Sequence, residues 1–140
     1  MGLRKPWKSF GAAAPEQEYL ALLSYLPLRR CRALPRFLMY TLQIERQLRS
    51  AKGILGYSLD ANPFTANFWT LSVWQDEAVL QEFVHALPHG KVMTALASDM
   101  GATRFVRWKI KGSAIPPRWA DAMERYRAQG ETQKKLLASA

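Results

Sequence analysis

The 140-residue chain has little of what stabilises small secreted or metal-bound domains. Cys31 is the single cysteine, which excludes an intramolecular disulfide, a zinc ribbon and a CxxC redox pair. The two histidines, His85 and His89, lie four residues apart, but no HExxH pattern contains them. We therefore expect no dedicated metal site, and a chain of this length can bury enough surface to fold without one.

Long apolar runs are also absent. No stretch approaches the roughly 20 apolar residues that a membrane span requires. The N-terminal residues carry positive charge but no apolar run of signal-peptide length. The sequence therefore predicts a cytoplasmic protein with no membrane span.

Acidic residues are scarce, and the formal net charge is +9. Basic residues outnumber acidic ones by ten to three over residues 1–52 and by nine to three over residues 103–140. Such a potential attracts nucleic acid, anionic lipid or an acidic small molecule. The aromatic residues, however, lie in predicted strands and are not interleaved with the basic ones, as they are in nucleic-acid binders. We do not expect a nucleic-acid partner, and RNA binding is the least favoured alternative.

Hydrophobic periodicity predicts one α+β domain over residues 18–130. Residues 1–17 show no periodicity and predict a flexible N-terminal arm, residues 118–129 an accessory helix, and residues 131–140 a frayed tail. The predicted core elements are strands near 19–26, 54–59, 67–74 and 103–110, and helices over 35–52 and 76–100, the second interrupted at Pro88. This order, β-α-β-β-α-β, is the ferredoxin-like arrangement, with one sheet and both helices on one face.

The predicted strands carry large apolar residues on both faces. Leu22 alternates with Leu23, and Phe68 with Trp69. A sheet with helices on one face and solvent on the other would alternate apolar with polar residues. The second face therefore needs a cover, and a partner's sheet packed face to face would supply it. We expect a homodimer.

Residues 68–89, from the S-V-W strand end through the acidic helix start to the P-H pair, resemble the third strand and second helix of the dimeric α+β barrel superfamily. That superfamily includes antibiotic-biosynthesis monooxygenases and haem-degrading monooxygenases. Residues 106–130 are similar to the tail of an uncharacterised branch related to spheroidene monooxygenase. The resemblance implies a dimeric α+β barrel whose protomers each hold an aromatic polyketide, a haem or another apolar molecule in a cleft between helices and sheet. It also implies monooxygenase-type oxidation, for which some members need no cofactor.

The sequence departs from the haem-degrading pattern at two positions. The resemblance places Phe83 where that branch has a helix tryptophan and Met93 where it has an iron-ligating histidine. Phenylalanine lacks the indole N–H, and a thioether is a softer, weaker axial ligand than imidazole. This argues against haem degradation by that mechanism. Two alternatives therefore remain for the cofactor: the protein uses none, or it binds haem.

Three residues are candidates for catalysis. His89 would accept a proton or ligate iron, Asn67 would orient a ligand carbonyl or dioxygen, and Arg107 would stabilise an enolate. The competing interpretations are a helix start for His89, a strand start for Asn67 and an ordinary exposed strand position for Arg107. The candidate ligand-binding residues, for which core packing is the alternative, are Trp69, Trp74, Trp108, Tyr25, Tyr57, Phe83 and Met93.

The predicted function is therefore the binding of a hydrophobic small molecule in an apolar cleft, with monooxygenase-like oxidation. The alternative is a non-catalytic ligand or haem carrier, or a scaffold of the same fold.

Overall fold

The computed structural model describes residues 3–29, 34–62, 67–85 and 103–138. Within these ranges six strands form one antiparallel sheet, accompanied by helices and a 3-10 turn at Gly112–Ala114. The elements are β1 Leu3–Arg4, β2 Lys8–Ser9, β3 Glu18–Pro27, α1 Leu34–Ser50, β4 Ile54–Asn62, β5 Asn67–Trp74, α2 Glu77–His85, β6 Arg104–Lys111 and α3 Trp119–Ala138.

The sheet has the strand order β1-β4-β5-β3-β6, and β2 also pairs with β4. The four long strands, β4-β5-β3-β6, have the ferredoxin-like order, so the predicted α+β fold is confirmed. The register pairs Ser24 of β3 with Thr70 on one side and with Phe105 on the other. One bulge between Ile54 and Gly56 shifts the pairing of β4 with β5.

Helices α1 and α2 pack on the same face of the sheet, which we call the helix face. Leu48 of α1 and Leu80 and Phe83 of α2 are buried against Leu22 and Trp74 of the strands. A second cluster joins α1 to β5 through the rings of Phe37 and Phe68, whose centroids are 4.2 Å apart. The apolar stripes predicted for both helices therefore form the core on this side.

The other side of the sheet, which we call the opposite face, is covered by segments of the same chain. Trp7, Ile115 and three residues of α3, Ala122, Met123 and Tyr126, pack on the strands here. The strand residues of this face are Tyr19, Ala21, Leu23, Leu55, Leu71, Val73, Val106 and Trp108. The expectation that both ferredoxin-like helices lie on one face is confirmed by α1 and α2, and the accessory helix α3 packs on the opposite face. A partner's sheet is not needed to cover these residues, so the homodimer stays a prediction without that support.

The two terminal segments also differ from expectation. The N-terminal arm is not free: Leu3 pairs with Ala61 and Lys8 with Tyr57 along β4. Two-residue strands carry no periodic pattern, so the sequence could not reveal them. The helix predicted over 118–129 extends to Ala138, through most of the predicted tail of residues 131–140. The predicted second half of the interrupted helix, around Met93, lies outside the described residues.

Candidate functional site

The sheet divides the candidate ligand-binding residues into two groups. Because successive side chains of a strand alternate between faces, residues paired across strands share a face. The helix face holds Tyr57, Trp74 and Phe83, and the opposite face holds Tyr25, Trp69 and Trp108. Arg107 pairs with Leu22 and so lies on the helix face, whereas Asn67 shares the face of Trp69. These residues therefore cannot line one cleft.

On the opposite face, Asn67 belongs to an aromatic cluster. The Tyr25 hydroxyl donates a hydrogen bond to Asn67 Oδ1 at 3.1 Å, and the Tyr25 and Trp69 rings have centroids 4.4 Å apart. Tyr126 of α3 meets Trp69 edge to face at 4.9 Å, and the Arg104 guanidinium lies 3.7 Å from the Tyr126 ring. Burial, with a smaller contribution from Tyr126, raises the pKa of Tyr25. The cluster fastens α3 to the sheet, and the Asn67 amide oxygen is already engaged in it.

On the helix face, three hydroxyl side chains lie on neighbouring strands, and we call them the hydroxyl patch: Ser24, Thr70 and Ser72. Ser24 pairs directly with Thr70, and Ser72 follows Thr70 on the same face of β5. Ser24 and Ser72 are buried, and Thr70 is half-buried. The Trp74 indole Nε1 donates a hydrogen bond to Ser72 Oγ at 2.8 Å. Three short hydroxyl side chains thus lie on β3 and β5 between the apolar residues Phe68 and Trp74 of the same face.

Apolar and charged side chains flank the hydroxyl patch. Phe105, paired with Ser24, leaves 43% of its surface exposed, which is unusual for a phenylalanine on a helix-covered face. Phe83 of α2 contacts Trp74, with ring centroids 5.0 Å apart. Arg107 lies two residues after Phe105 on the same face of β6. It forms an exposed ion pair with Glu77 at the start of α2. Apolar surface and a few polar groups thus share this part of the helix face.

The helix face also holds a buried carboxylate, Glu45, which is not among the residues predicted from the sequence. Glu45 of α1 accepts a hydrogen bond from the Tyr57 hydroxyl at 3.0 Å, and its other oxygen lies 3.0 Å from Lys5 Nζ. Burial, followed by the bond to Glu45 and the charge of Glu45, raises the pKa of Tyr57 to about 12. The phenol is therefore a hydrogen-bond donor at neutral pH. The sequence does contain a sign that Glu45 is buried. It lies four residues after Thr41 and three before Leu48, within the apolar stripe of the helix.

Two of the candidate residues, His89 and Met93, lie outside the described residues. His85, at the end of α2, is exposed. In the described ranges no three His, Cys, Asp or Glu side chains come together as metal ligands would. No helix of those ranges is long and apolar enough to cross a membrane.

Comparison with known proteins gives matches among solved structures alone. No protein-family model matches the chain. No curated protein matches it either. An antibiotic biosynthesis monooxygenase superimposes with a TM-score of 0.58 at 14% identity, over 64% of this chain and 95% of that one.

Two further structures give the same result. SnoaB, a cofactor-independent oxygenase from Streptomyces nogalater, matches with a TM-score of 0.53 at 11% identity, over 64% of this chain and 90% of that one. A proposed monooxygenase from Fusobacterium nucleatum matches with a TM-score of 0.62 at 11% identity, over 72% of this chain and 46% of that one. This chain thus spans about half the length of the latter protein. At these identities the likeness establishes the fold, which is that of antibiotic biosynthesis monooxygenase-like proteins.

Proposed function

We propose that this protein binds a flat aromatic molecule at the hydroxyl patch and oxidises it with molecular oxygen, as a monooxygenase. The fold it shares with an antibiotic biosynthesis monooxygenase and with a cofactor-independent oxygenase supports the reaction class. The observation that carries the location is the hydroxyl patch itself, with exposed Phe105 beside it. Apolar surface would hold the rings, and hydroxyls would orient a carbonyl or phenol oxygen.

The chemistry needs no external reductant when the substrate supplies the electrons. In an anthrone, the CH₂ group between two aryl rings loses a proton, and the charge spreads onto the ketone oxygen as an enolate. The enolate reduces O₂; one oxygen atom becomes a new ketone on the former CH₂ carbon, and the other leaves as water. Substrate plus O₂ thus gives diketone plus water, with atoms and electrons balanced.

This chain's residues would contribute in three ways. Arg107 lies next to the hydroxyl patch on the helix face, and its permanent charge suits the enolate oxygen once it turns from Glu77. His89 is the proton acceptor that we propose from the sequence, because its ordinary pKa lies close to neutral pH. Trp74 and Phe83 would exclude water from beneath the ring system. Asn67 has no part here, because it lies on the opposite face.

The test is oxidation of 1,8-dihydroxyanthrone by the purified protein under ¹⁸O₂, followed by mass spectrometry of the product. The wild-type protein should accelerate formation of the dihydroxyanthraquinone and incorporate one ¹⁸O atom per molecule. The Ser24→Ala/Thr70→Val variant, which removes two hydroxyls of the patch, should lower kcat/KM by about tenfold or more, because each hydroxyl that orients the substrate oxygen contributes about 1 kcal/mol. Thr132→Val, which removes an exposed hydroxyl bonded within α3, serves as the matched control.

Three outcomes would contradict the proposal. Saturable binding of the anthrone without acceleration would instead assign the protein as a ligand carrier. Equal rates for the patch variant and the control would remove the hydroxyl patch as the site. Activity that appears only after haem is added, with a shifted Soret band lost in His89→Ala, would replace direct oxidation by a haem-dependent reaction.

A further inference from the structure

A groove lies on the side of the sheet that α3 covers, opposite to the hydroxyl patch. It measures about 560 Å³ and lies between the end of β6, the turn that follows and the first turns of α3. Its apolar wall includes Trp108, Ile115 and Pro117. Ligand pockets for small molecules typically measure roughly 300–1,000 Å³. The groove is therefore large enough for a molecule of two or three rings.

The groove has a strong excess of positive charge. Four cationic residues line it, Lys109, Lys111, Arg118 and Arg125, against one carboxylate residue, Asp121. Strand alternation places the side chains of Lys109 and Lys111 at the rim of the groove, on the side of β6 away from Trp108. The described residues form three ion pairs, none of which involves the groove: Arg4 with Asp60, Lys5 with Glu45 and Arg107 with Glu77. None of the four groove cations has a carboxylate oxygen of the described residues within 4.0 Å. Within the described residues, therefore, no ion pair neutralises their charges.

One of these cations is positioned by an aromatic ring. The Arg125 guanidinium lies 5.1 Å from the centroid of Trp108, at cation-π distance. A guanidinium held against a ring still presents its N–H groups along its edge, where a carboxylate or phosphate can accept two of them. Trp108 and Arg125 together thus provide flat contact surface and anion recognition in one place.

We propose that this groove binds a small, flat aromatic anion, whose ring lies against the apolar wall formed by Trp108, Ile115 and Pro117. Its carboxylate or phosphate group is held by Arg118 and Arg125, with Lys111 adding charge at the rim. The site is independent of the proposed oxidation. It lies between β6 and α3, whereas the hydroxyl patch faces α1 and α2.

Isothermal titration calorimetry with three probes of one ring system tests the proposal: 2-naphthoate, 2-naphthyl phosphate and neutral 2-naphthamide. At least one of the two anions should bind at one site per chain. If only one binds, that result identifies the recognised group as carboxylate or as phosphate. The amide should bind about tenfold more weakly or worse, because it offers no charge to the guanidinium groups. Affinity for the anions should fall as salt is raised.

Variants locate the site. Arg118→Gln/Arg125→Gln should weaken anion binding by about tenfold or more, and Lys111→Gln should weaken it by a smaller factor. Arg127→Gln is the matched control, since Arg127 is exposed on α3 and does not line the groove. A thermal melt of each variant confirms folding, and Lys111→Gln keeps the test decisive if loss of Arg125 disturbs Trp108.

Several results would overturn the proposal. Equal affinity for the amide would mean that the apolar wall alone binds the ring. An equal loss in Arg127→Gln would mean diffuse attraction to a basic surface. Binding of a short oligouridylate but of neither naphthalene anion would assign the surface to nucleic acid instead.

Discussion

At the scale of single residues, the least expected feature is a carboxylate within the core. Glu45 is 7% exposed and holds two partners, the Tyr57 hydroxyl and the Lys5 ammonium group. A buried carboxylate is costly unless hydrogen bonds and an opposite charge compensate it, and here both do. The N-terminal segment therefore helps to stabilise the core, because its Lys5 supplies the charge that compensates Glu45.

Removing the phenol oxygen should leave the carboxylate short of a donor. We expect Tyr57→Phe to lower the free energy of unfolding by about 2 kcal/mol, the typical worth of a hydrogen bond to a charged group. Urea denaturation at neutral pH measures it. Tyr40→Phe is the control: its hydroxyl contacts Arg36 on the exposed side of α1 and should matter much less. Equal losses in the two variants would contradict the role given to Tyr57.

The same residue predicts a dependence on pH. Folding raises the pKa of Tyr57 from 10.0 to about 12, so the fold stabilises the protonated phenol. This contribution is complete below pH 10 and is lost as the pH rises from 10 towards 12. The difference in stability between wild type and Tyr57→Phe should therefore shrink over that window. A difference that stays constant to pH 12 would show that the phenol is not held in its protonated form.

Among the described glycines, Gly53 has a backbone conformation that favours glycine. Its φ is +84°, and a Cβ atom there would lie 2.5 Å from Cγ1 of Val79. We expect Gly53→Ala to destabilise the protein by more than about 1 kcal/mol, from left-handed strain and the clash together. Gly11→Ala, where a Cβ meets nothing within 4 Å, should change stability by less than about 0.5 kcal/mol. Comparable melting temperatures for the two variants would contradict this account.

At the scale of elements, the sequence predicts best where a period is long enough to read. The eight-residue alternation of β6 and the apolar stripes of α1 and α2 each indicate the correct element. β1 and β2 are missed by sequence-based prediction because two residues are too few to show a period. The last turns of α3 are missed because their apolar residues form only a weak stripe. The hydroxyl patch requires the pairing of Ser24 with Thr70, and register depends on contacts between strands distant in sequence. Alternation along β5 alone separates Trp69 from Trp74, whereas the placement of Tyr25 and Trp108 on the face of Trp69 again requires the register.

The start of α2 depends on a local interaction of Asp76, the residue directly before the helix. Asp76 Oδ1 accepts a hydrogen bond from the Val79 backbone N–H at 2.9 Å, which makes it the N-cap residue. Asp76→Ala should cost about 1 kcal/mol, whereas Asp76→Asn keeps the acceptor and should cost only a few tenths. Thermal denaturation compares the two. An Asn variant as unstable as the Ala variant would mean that charge, and not the cap, matters.

At the scale of the whole molecule, one chain covers both faces of its own sheet. The N-terminal segment is fixed by its strand pairs, by the Ser58 hydroxyl donating to the Lys5 carbonyl at 2.7 Å, and by Trp7 packed over Gly56. Together with α3 it buries the residues whose apolar character would otherwise require a partner. Composition alone could not distinguish an internal cover from an external one.

Gly56 tests this internal cover. A Cβ atom there would lie 2.5 Å from Trp7 Cζ2 and 2.7 Å from the Lys8 carbonyl oxygen. We expect Gly56→Ala to loosen the N-terminal segment and to increase hydrogen exchange in residues 3–10, measured by mass spectrometry. Exchange in α2 should change little. Unaltered protection of residues 3–10 in the variant would show that Trp7 does not pack against β4 in solution.

The proposed function depends on substrate binding at the hydroxyl patch. Its most direct test is a titration of ¹⁵N-labelled protein with 1,8-dihydroxyanthrone under argon, where the substrate binds but cannot react with oxygen. We expect the largest amide shifts around the hydroxyl patch, in residues 22–24, 70–72 and 105–107. Shifts confined to the groove beside α3, or no shifts at all, would contradict the proposal.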